Sequence, residues 1–138
     1  MQDKYYAVLD TNVLVSAILG ASRMSIPTKV LKAVTEEKIV PLYNDEIIDE
    51  YREVLLRKKF NFDPELIETV LNTIVTDGIY IDRTKSIEEI FPDPNDIVFY
   101  EVSLSKEGSY LVTGNIKHFP QKSFIITPAE MVRLLEEI

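Results

Sequence analysis

Short apolar runs alternating with amphipathic stretches constrain this chain more than any other feature. Residues 5–9 and 39–43 are nearly continuous runs of aromatic and aliphatic side chains, and residues 79–81, 110–113 and 124–126 repeat the pattern. A strand covered on both faces shows no polar side, so it reads as a run and not as an alternation. Helical patterns fill the gaps. Residues 13–19 form a short apolar helix, and Ser25-Ile26-Pro27 opens another, with Val30, Leu31 and Val34 on its apolar side. Asn44 is a helix cap ahead of Ile47, Ile48, Tyr51, Val54 and Leu55, and Asp63-Pro64 caps a helix that Gly78 ends. Asp96 stands at the start of a helix running to about Glu107, and Thr127-Pro128-Ala129-Glu130 is a capping box. Strands alternating with helices predict an α/β class, with a parallel sheet covered on both faces. No segment of the 138 residues reads as a linker or repeat, so one domain over 1–138 is expected.

Composition narrows the chemistry. There is no cysteine, which removes thiol catalysis, disulfides and thiolate-bound zinc, and His118 is the only histidine, which removes a multi-histidine metal site. No glycine-rich phosphate loop of either dinucleotide or P-loop type is present. No apolar run reaches the roughly 20 residues that span a bilayer. Met1-Gln2-Asp3-Lys4 does not open a signal region, so a cytoplasmic protein without membrane contact is expected. Lys and Arg number 15 against 23 Asp and Glu, a net charge of −8. That balance argues against a surface that grips nucleic acid by charge alone.

In an open α/β sheet, ligands bind outside the carboxyl ends of the strands. Asp10 directly follows the first strand, Asn115 follows the fourth, and Asp96 heads the helix leading into the fourth. Glu50 lies three residues after Ile47 and four before Val54, so it borders the apolar stripe of its helix, whereas Asp49 and Glu53 turn toward solvent. Carboxylates converging on one crevice repel one another, and proteins keep such clusters mainly where a cation fills them. Oxygen ligands favour Mg²⁺ or Mn²⁺, ions suited to phosphodiester hydrolysis. Each residue also has a plainer role: Asp10 and Asp96 as caps, Glu50 as a solvated flank, Asn115 as a turn residue. His118, beside Phe119-Pro120, reads as a loop residue anchoring its turn.

Four segments, in order, resemble the motifs of the PIN-domain family. They are Val8-Leu9-Asp10-Thr11-Asn12-Val13-Leu14-Val15-Ser16-Ala17, the acid-bearing stretch from Asp45 through Glu50 to Leu55, Asp93-Pro94-Asn95-Asp96, and Leu111-Val112-Thr113-Gly114-Asn115. Lys117-His118-Phe119-Pro120 and Ile126-Thr127-Pro128-Ala129-Glu130 resemble one branch, described as toxin components of toxin–antitoxin systems. The resemblance implies a five-stranded parallel sheet in a three-layer α/β/α sandwich and metal-dependent ribonuclease activity. It implies Asp10, Glu50, Asp96 and Asp93 as metal ligands, Asn115 as a further catalytic position, and Thr11 and Asn12 as supports of Asp10. Many members carry an aspartate where this chain has Asn115. Asparagine removes one negative charge from the site, which makes two-metal occupancy less favourable.

The expected function is a Mg²⁺- or Mn²⁺-dependent endoribonuclease, the toxin of a type II toxin–antitoxin pair. Expected partners are an RNA substrate, an antitoxin protein and a second copy of the chain in a homodimer. Arg52, Arg57, Lys58 and Lys59 on one side, and Arg23, Lys29 and Lys32 on the other, are candidate phosphate contacts. Asn115 and the charge of −8 also motivate an alternative, a catalytically weakened PIN-like module that binds RNA or protein. A receiver-like phosphoryl-transfer domain ranks last, because Thr113-Gly114-Asn115 offers no lysine at the strand end.

Overall fold

A computed structural model describes residues 4–84 and 89–137. Met1, Gln2 and Asp3, read above for a signal region, lie outside the described residues. The chain runs β1 (Tyr5–Leu9), α1 (Thr11–Leu19), α2 (Ile26–Thr35), β2 (Ile39–Tyr43), α3 (Asp45–Leu55), α4 (Pro64–Asp77), β3 (Ile79–Tyr80), α5 (Ile97–Leu104), β4 (Tyr110–Val112), β5 (Ile125–Ile126) and α6 (Pro128–Glu136). The expected α/β class and five-stranded parallel sheet are present, with strand order β3-β2-β1-β4-β5 and every pairing parallel.

The capping residues start the helices where the sequence places them. Asn44 accepts from the Ile47 N–H at 2.9 Å, with Asp45 and Glu46 in the first turn of α3. Thr127 and Glu130 close a capping box on α6. Gly78 ends α4 because a side chain there would meet the Pro41 carbonyl at 2.4 Å, so only glycine lets α4 hand over to β3 beside β2.

Several boundaries differ from the sequence expectation: β3 ends at Tyr80 and not Ile81, β5 begins at Ile125 and not Phe124, and three further differences bear on the site. The first helix begins at Thr11 and not at Val13, because Asp10 caps it directly. The helix expected from Asp96 to about Glu107 is shorter. A 3₁₀ turn occupies Pro94–Asp96, and α5 stops at Leu104. There the Ser105 hydroxyl donates to the Glu101 carbonyl at 2.8 Å, and Gly108 turns the chain with φ of 82°. The fourth strand ends at Val112, which leaves the Thr113 side chain beyond the ladder.

Helices cover both faces of the sheet. The Tyr5 hydroxyl reaches the Leu134 carbonyl of α6 at 3.4 Å, while Lys106, just past α5, lies 4.6 Å from the Tyr6 ring centroid. Neighbouring strand residues point to opposite faces, so α6 and α5 lie on opposite sides. The core between them holds Ala7, Val8, Leu9, Leu14, Leu42, Leu111 and Val112, all fully buried. Tyr51 of α3 is also buried, and its hydroxyl donates to the Leu9 carbonyl. That bond ties the helix carrying Glu50 to the end of β1. No helix among the described residues is long and apolar enough to cross a membrane.

Candidate active site

The strand order reverses at β1, which has β2 on one side and β4 on the other. The chain leaves β1 and β4 in different directions there, and a crevice opens at their carboxyl ends. Register Leu9↔Val112 makes Asp10 and Thr113 the next neighbours across that crevice, and the Asp10 N–H donates to the Val112 carbonyl at 2.9 Å. A pocket of about 450 Å³ lies at this end of the sheet.

Asp10, Glu50, Asp93, Asp96, Asn115 and His118 all border that pocket. The structure therefore brings together every acid singled out in the sequence, from three separate segments, with Asn115 and His118 from a fourth. Asp10 is buried, Glu50 and Asp96 are half-buried, and Asp93 and Asn115 are exposed. Asp49 and Glu53 face solvent, as the helical spacing requires.

Asp10 is held by three donors. The Thr11 N–H donates to Oδ1 at 2.8 Å, while the Asn12 side-chain amide and the Thr113 hydroxyl donate to Oδ2 at 3.1 and 2.7 Å. The helix-cap role and the pocket role thus belong to the same side chain. A carboxylate offers about four acceptor positions, so these donors leave room for one more partner on Oδ1. The Asn12 carbonyl oxygen accepts from the Gly114 N–H at 3.1 Å, which fixes the orientation of its amide. The Thr113 hydroxyl accepts from the Asn115 N–H at 2.9 Å, so its own proton is free for Asp10.

Thr113 is the residue that sequence reasoning missed. The apolar run makes it the last residue of a strand, yet it is fully buried and makes the shortest hydrogen bond to Asp10. The available signal was a hydroxyl ending an apolar run just before a glycine. Thr113→Val is expected to weaken metal-dependent activity about 10- to 100-fold. It also leaves the Asn115 N–H without its acceptor, at a cost of about 1–2 kcal/mol in stability. Thr113→Ser keeps the hydroxyl and is expected to restore activity. Kinetics and thermal melts of the two variants check this.

The acids feel one another. Burial pushes the Asp10 carboxyl above its ordinary value, partly offset by the hydrogen bonds from Thr113, Thr11 and Asn12. Glu50 is raised by partial burial and then by nearby Glu53, Asp93 and Asp10. Asp96 is raised furthest, to about 6, by burial first and then by the charges of Asp10 and Asp93. His118 acts against that shift, with Nδ1 3.7 Å from Asp96 Oδ2. The histidine does close its turn, donating its N–H to the Asn115 carbonyl at 2.9 Å, but it also lines the pocket.

Among the described residues, no three acid or imidazole groups stand close enough to enclose an ion by themselves. The donor chemistry still fits Mg²⁺ or Mn²⁺, which take a few carboxylate oxygens and retain several waters. Thr11 supports the same fit. Its hydroxyl, buried beside Asp10 at the pocket, has no hydrogen-bond partner among the described residues, and a buried hydroxyl normally has one. A water of hydration would satisfy it. Asp10, Glu50, Asp96 and Asp93 are the residues that would hold such an ion, directly or through water.

The basic residues separate into two groups. Arg57 and Lys59 border the pocket, whereas Arg52 is turned away and holds Glu68 through two bonds of 3.1 and 3.2 Å. Lys58, Arg23, Lys29 and Lys32 are exposed and do not line the pocket.

Neither the curated proteins nor the solved structures give a match to this chain. A family model described as PIN domain matches residues 6–117, a span that includes all but the first residue of β1, the whole of α3 and β4, and all four pocket acids. The chain therefore belongs to the PIN-domain family, a nuclease-type fold whose members are generally metal-dependent ribonucleases.

Proposed function

We propose that this protein is a Mg²⁺- or Mn²⁺-dependent endoribonuclease that hydrolyses RNA phosphodiester bonds in the pocket at the ends of β1 and β4. The observation that carries the reading is Asp10, buried at the strand switch point, held by three donors and facing the same pocket as Glu50, Asp93 and Asp96. So much uncompensated negative charge costs stability unless a cation offsets it. A bound divalent cation supplies Lewis acidity toward water and toward a phosphodiester.

The chain's own residues set the rest. Thr11, Asn12 and Thr113 keep Asp10 in one orientation, so its remaining acceptor position is preorganised. Glu50 and Asp96 offer carboxylates from two other elements. Asn115 adds polarity without charge, which favours few ions over many. Arg57 and Lys59 at the rim are positioned to contact phosphates on the substrate strand. A role as the toxin of a toxin–antitoxin pair, with an antitoxin partner, a homodimeric form and a cytoplasmic setting, is proposed with this activity. It is supported by the likeness of residues 117–120 and 126–130 to that branch of the family.

The test is cleavage of a labelled single-stranded RNA by the pure protein. Cleavage is expected with Mn²⁺, no cleavage with EDTA, and recovery when excess Mn²⁺ is restored. Cleavage that persists in EDTA, or that Asp10→Asn shows equally, overturns the reading. RNA binding with no cleavage even when Mn²⁺ is present would instead favour a binding module.

A further inference from the structure

The acids account for the floor of the pocket and leave its rim without a role. We propose that Phe60 is a stacking platform for one base of a single-stranded RNA, with Arg57 and Lys59 meeting the adjoining phosphates. The proposal rests on the ribonuclease reading and specifies how the substrate is held.

The chain bends tightly after α3. The Phe60 N–H donates to the Arg57 carbonyl and the Asn61 N–H to the Lys58 carbonyl, each at 3.1 Å. Asn61 has φ of 53°, a left-handed conformation that asparagine tolerates better than most residues. This bend lays the rings of Phe60 and Phe62 against each other, with centroids 5.3 Å apart and planes within 9°. Phe62 packs against the hydrophobic core and Phe60 does not. Phe62 is therefore an anchored backing, and Phe60 is a half-buried ring on the wall of the pocket that holds Asp10, Glu50 and Asp96.

Electrostatics makes such a ring useful. A protein of charge −8 with an acidic pocket repels a polyanion at long range and cannot rely on many phosphate contacts. Base stacking on an aromatic ring does not depend on net charge, and every base has a face to offer. Lys59 places its ammonium 5.1 Å from the Phe60 centroid. An exposed cation–π contact is weaker than a stacked base, so a base can displace the ammonium and leave it free for a phosphate. Arg57 is held by Glu53 at 3.0 Å in an exposed pair, which binds too weakly to keep it from a phosphate. A duplex keeps its base faces stacked within the helix, so this rim selects single strands.

The experiment measures binding of a short RNA carrying 2-aminopurine, at moderate salt that screens the long-range repulsion and in EDTA so that no strand is cut. The wild type is expected to bind and to quench the 2-aminopurine fluorescence. Phe60→Ala is expected to bind about tenfold more weakly, without the quenching, and Phe60→Trp to restore both. Phe60→Leu keeps bulk against Phe62 without a flat ring, so it guards against a folding defect and is expected to behave like Phe60→Ala. Wild-type affinity and quenching in Phe60→Ala or Phe60→Leu overturn the stacking proposal and leave the ribonuclease reading standing. A wild type that binds no RNA in EDTA overturns the stacking proposal and leaves the ribonuclease reading to the Mn²⁺ cleavage test, and a duplex that binds as tightly as the single strand overturns the single-strand preference.

Discussion

Asp10→Asn is expected to lower metal-dependent RNA cleavage by about 10³-fold, since loss of several kcal/mol of charge stabilisation corresponds to that factor. The side chain keeps its size but loses its charge, and its amide oxygen can still accept from Asn12 and Thr113 while its nitrogen takes the position that accepts from the Thr11 N–H. One donor then faces another, which costs about 1–3 kcal/mol. Removal of a buried charge offsets much of that cost, because burial already holds the Asp10 carboxyl above its ordinary value. The variant should therefore melt within a few degrees of the wild type while being inactive. Single-turnover cleavage with Mn²⁺, beside thermal melts in EDTA, measures both. Activity within tenfold of the wild type would remove Asp10 from the centre of the site.

Asp96→Asn is expected to change stability and activity in opposite directions. The folded protein holds the Asp96 carboxyl at about 6 against an ordinary 3.8, so the folded state binds this proton more tightly than the unfolded state. The sign follows from linkage: stability is greatest below the unfolded value and falls as pH rises from about 4 to about 6. The full gap corresponds to about 3 kcal/mol at pH 7. Asparagine removes the charge but remains a desolvated polar group, and it loses the contact with His118, so a net gain of about 1–2 kcal/mol is expected. That gain should raise the melting temperature in EDTA by roughly 3–10 °C at pH 7 and vanish near pH 4, where the wild-type carboxyl is protonated. With Mn²⁺ the order should reverse, because the cation stabilises the wild type and has lost a ligand in the variant. Cleavage should fall with the loss of that ligand. A variant less stable than the wild type at pH 7 without metal would show that burial and the neighbouring acids do not raise the Asp96 carboxyl.

Both predictions concern residues that the sequence alone points to, and the reason is local. A continuous apolar run declares a strand, and the polar residue ending it must lie at the carboxyl end of the sheet, as Asp10 does. Helical spacing places Glu50 beside the apolar stripe and sends Asp49 and Glu53 to solvent, which the structure repeats. Capping residues mark the starts of α3, α4 and α6 in the same local way. The helix ends and the last strand residue were less legible. Ser105 and Thr113 act through hydrogen bonds that no periodicity encodes.

The sequence by itself determined the α/β class, the number of strands and the order of the acids, because hydrophobic period and cap chemistry operate over a few residues. Only the tertiary structure decided which strands are neighbours. Pairing β1 with β4, and not only with β2, sets Asp10 beside Thr113 across 103 residues of chain and opens the crevice between them. It also decided which charges face the pocket: Arg52 answers Glu68, while Arg57 and Lys59 reach the rim with Phe60. These outcomes depend on contacts between distant segments, and their energies come from burial and hydrogen bonding in the assembled fold and not from local conformational preference.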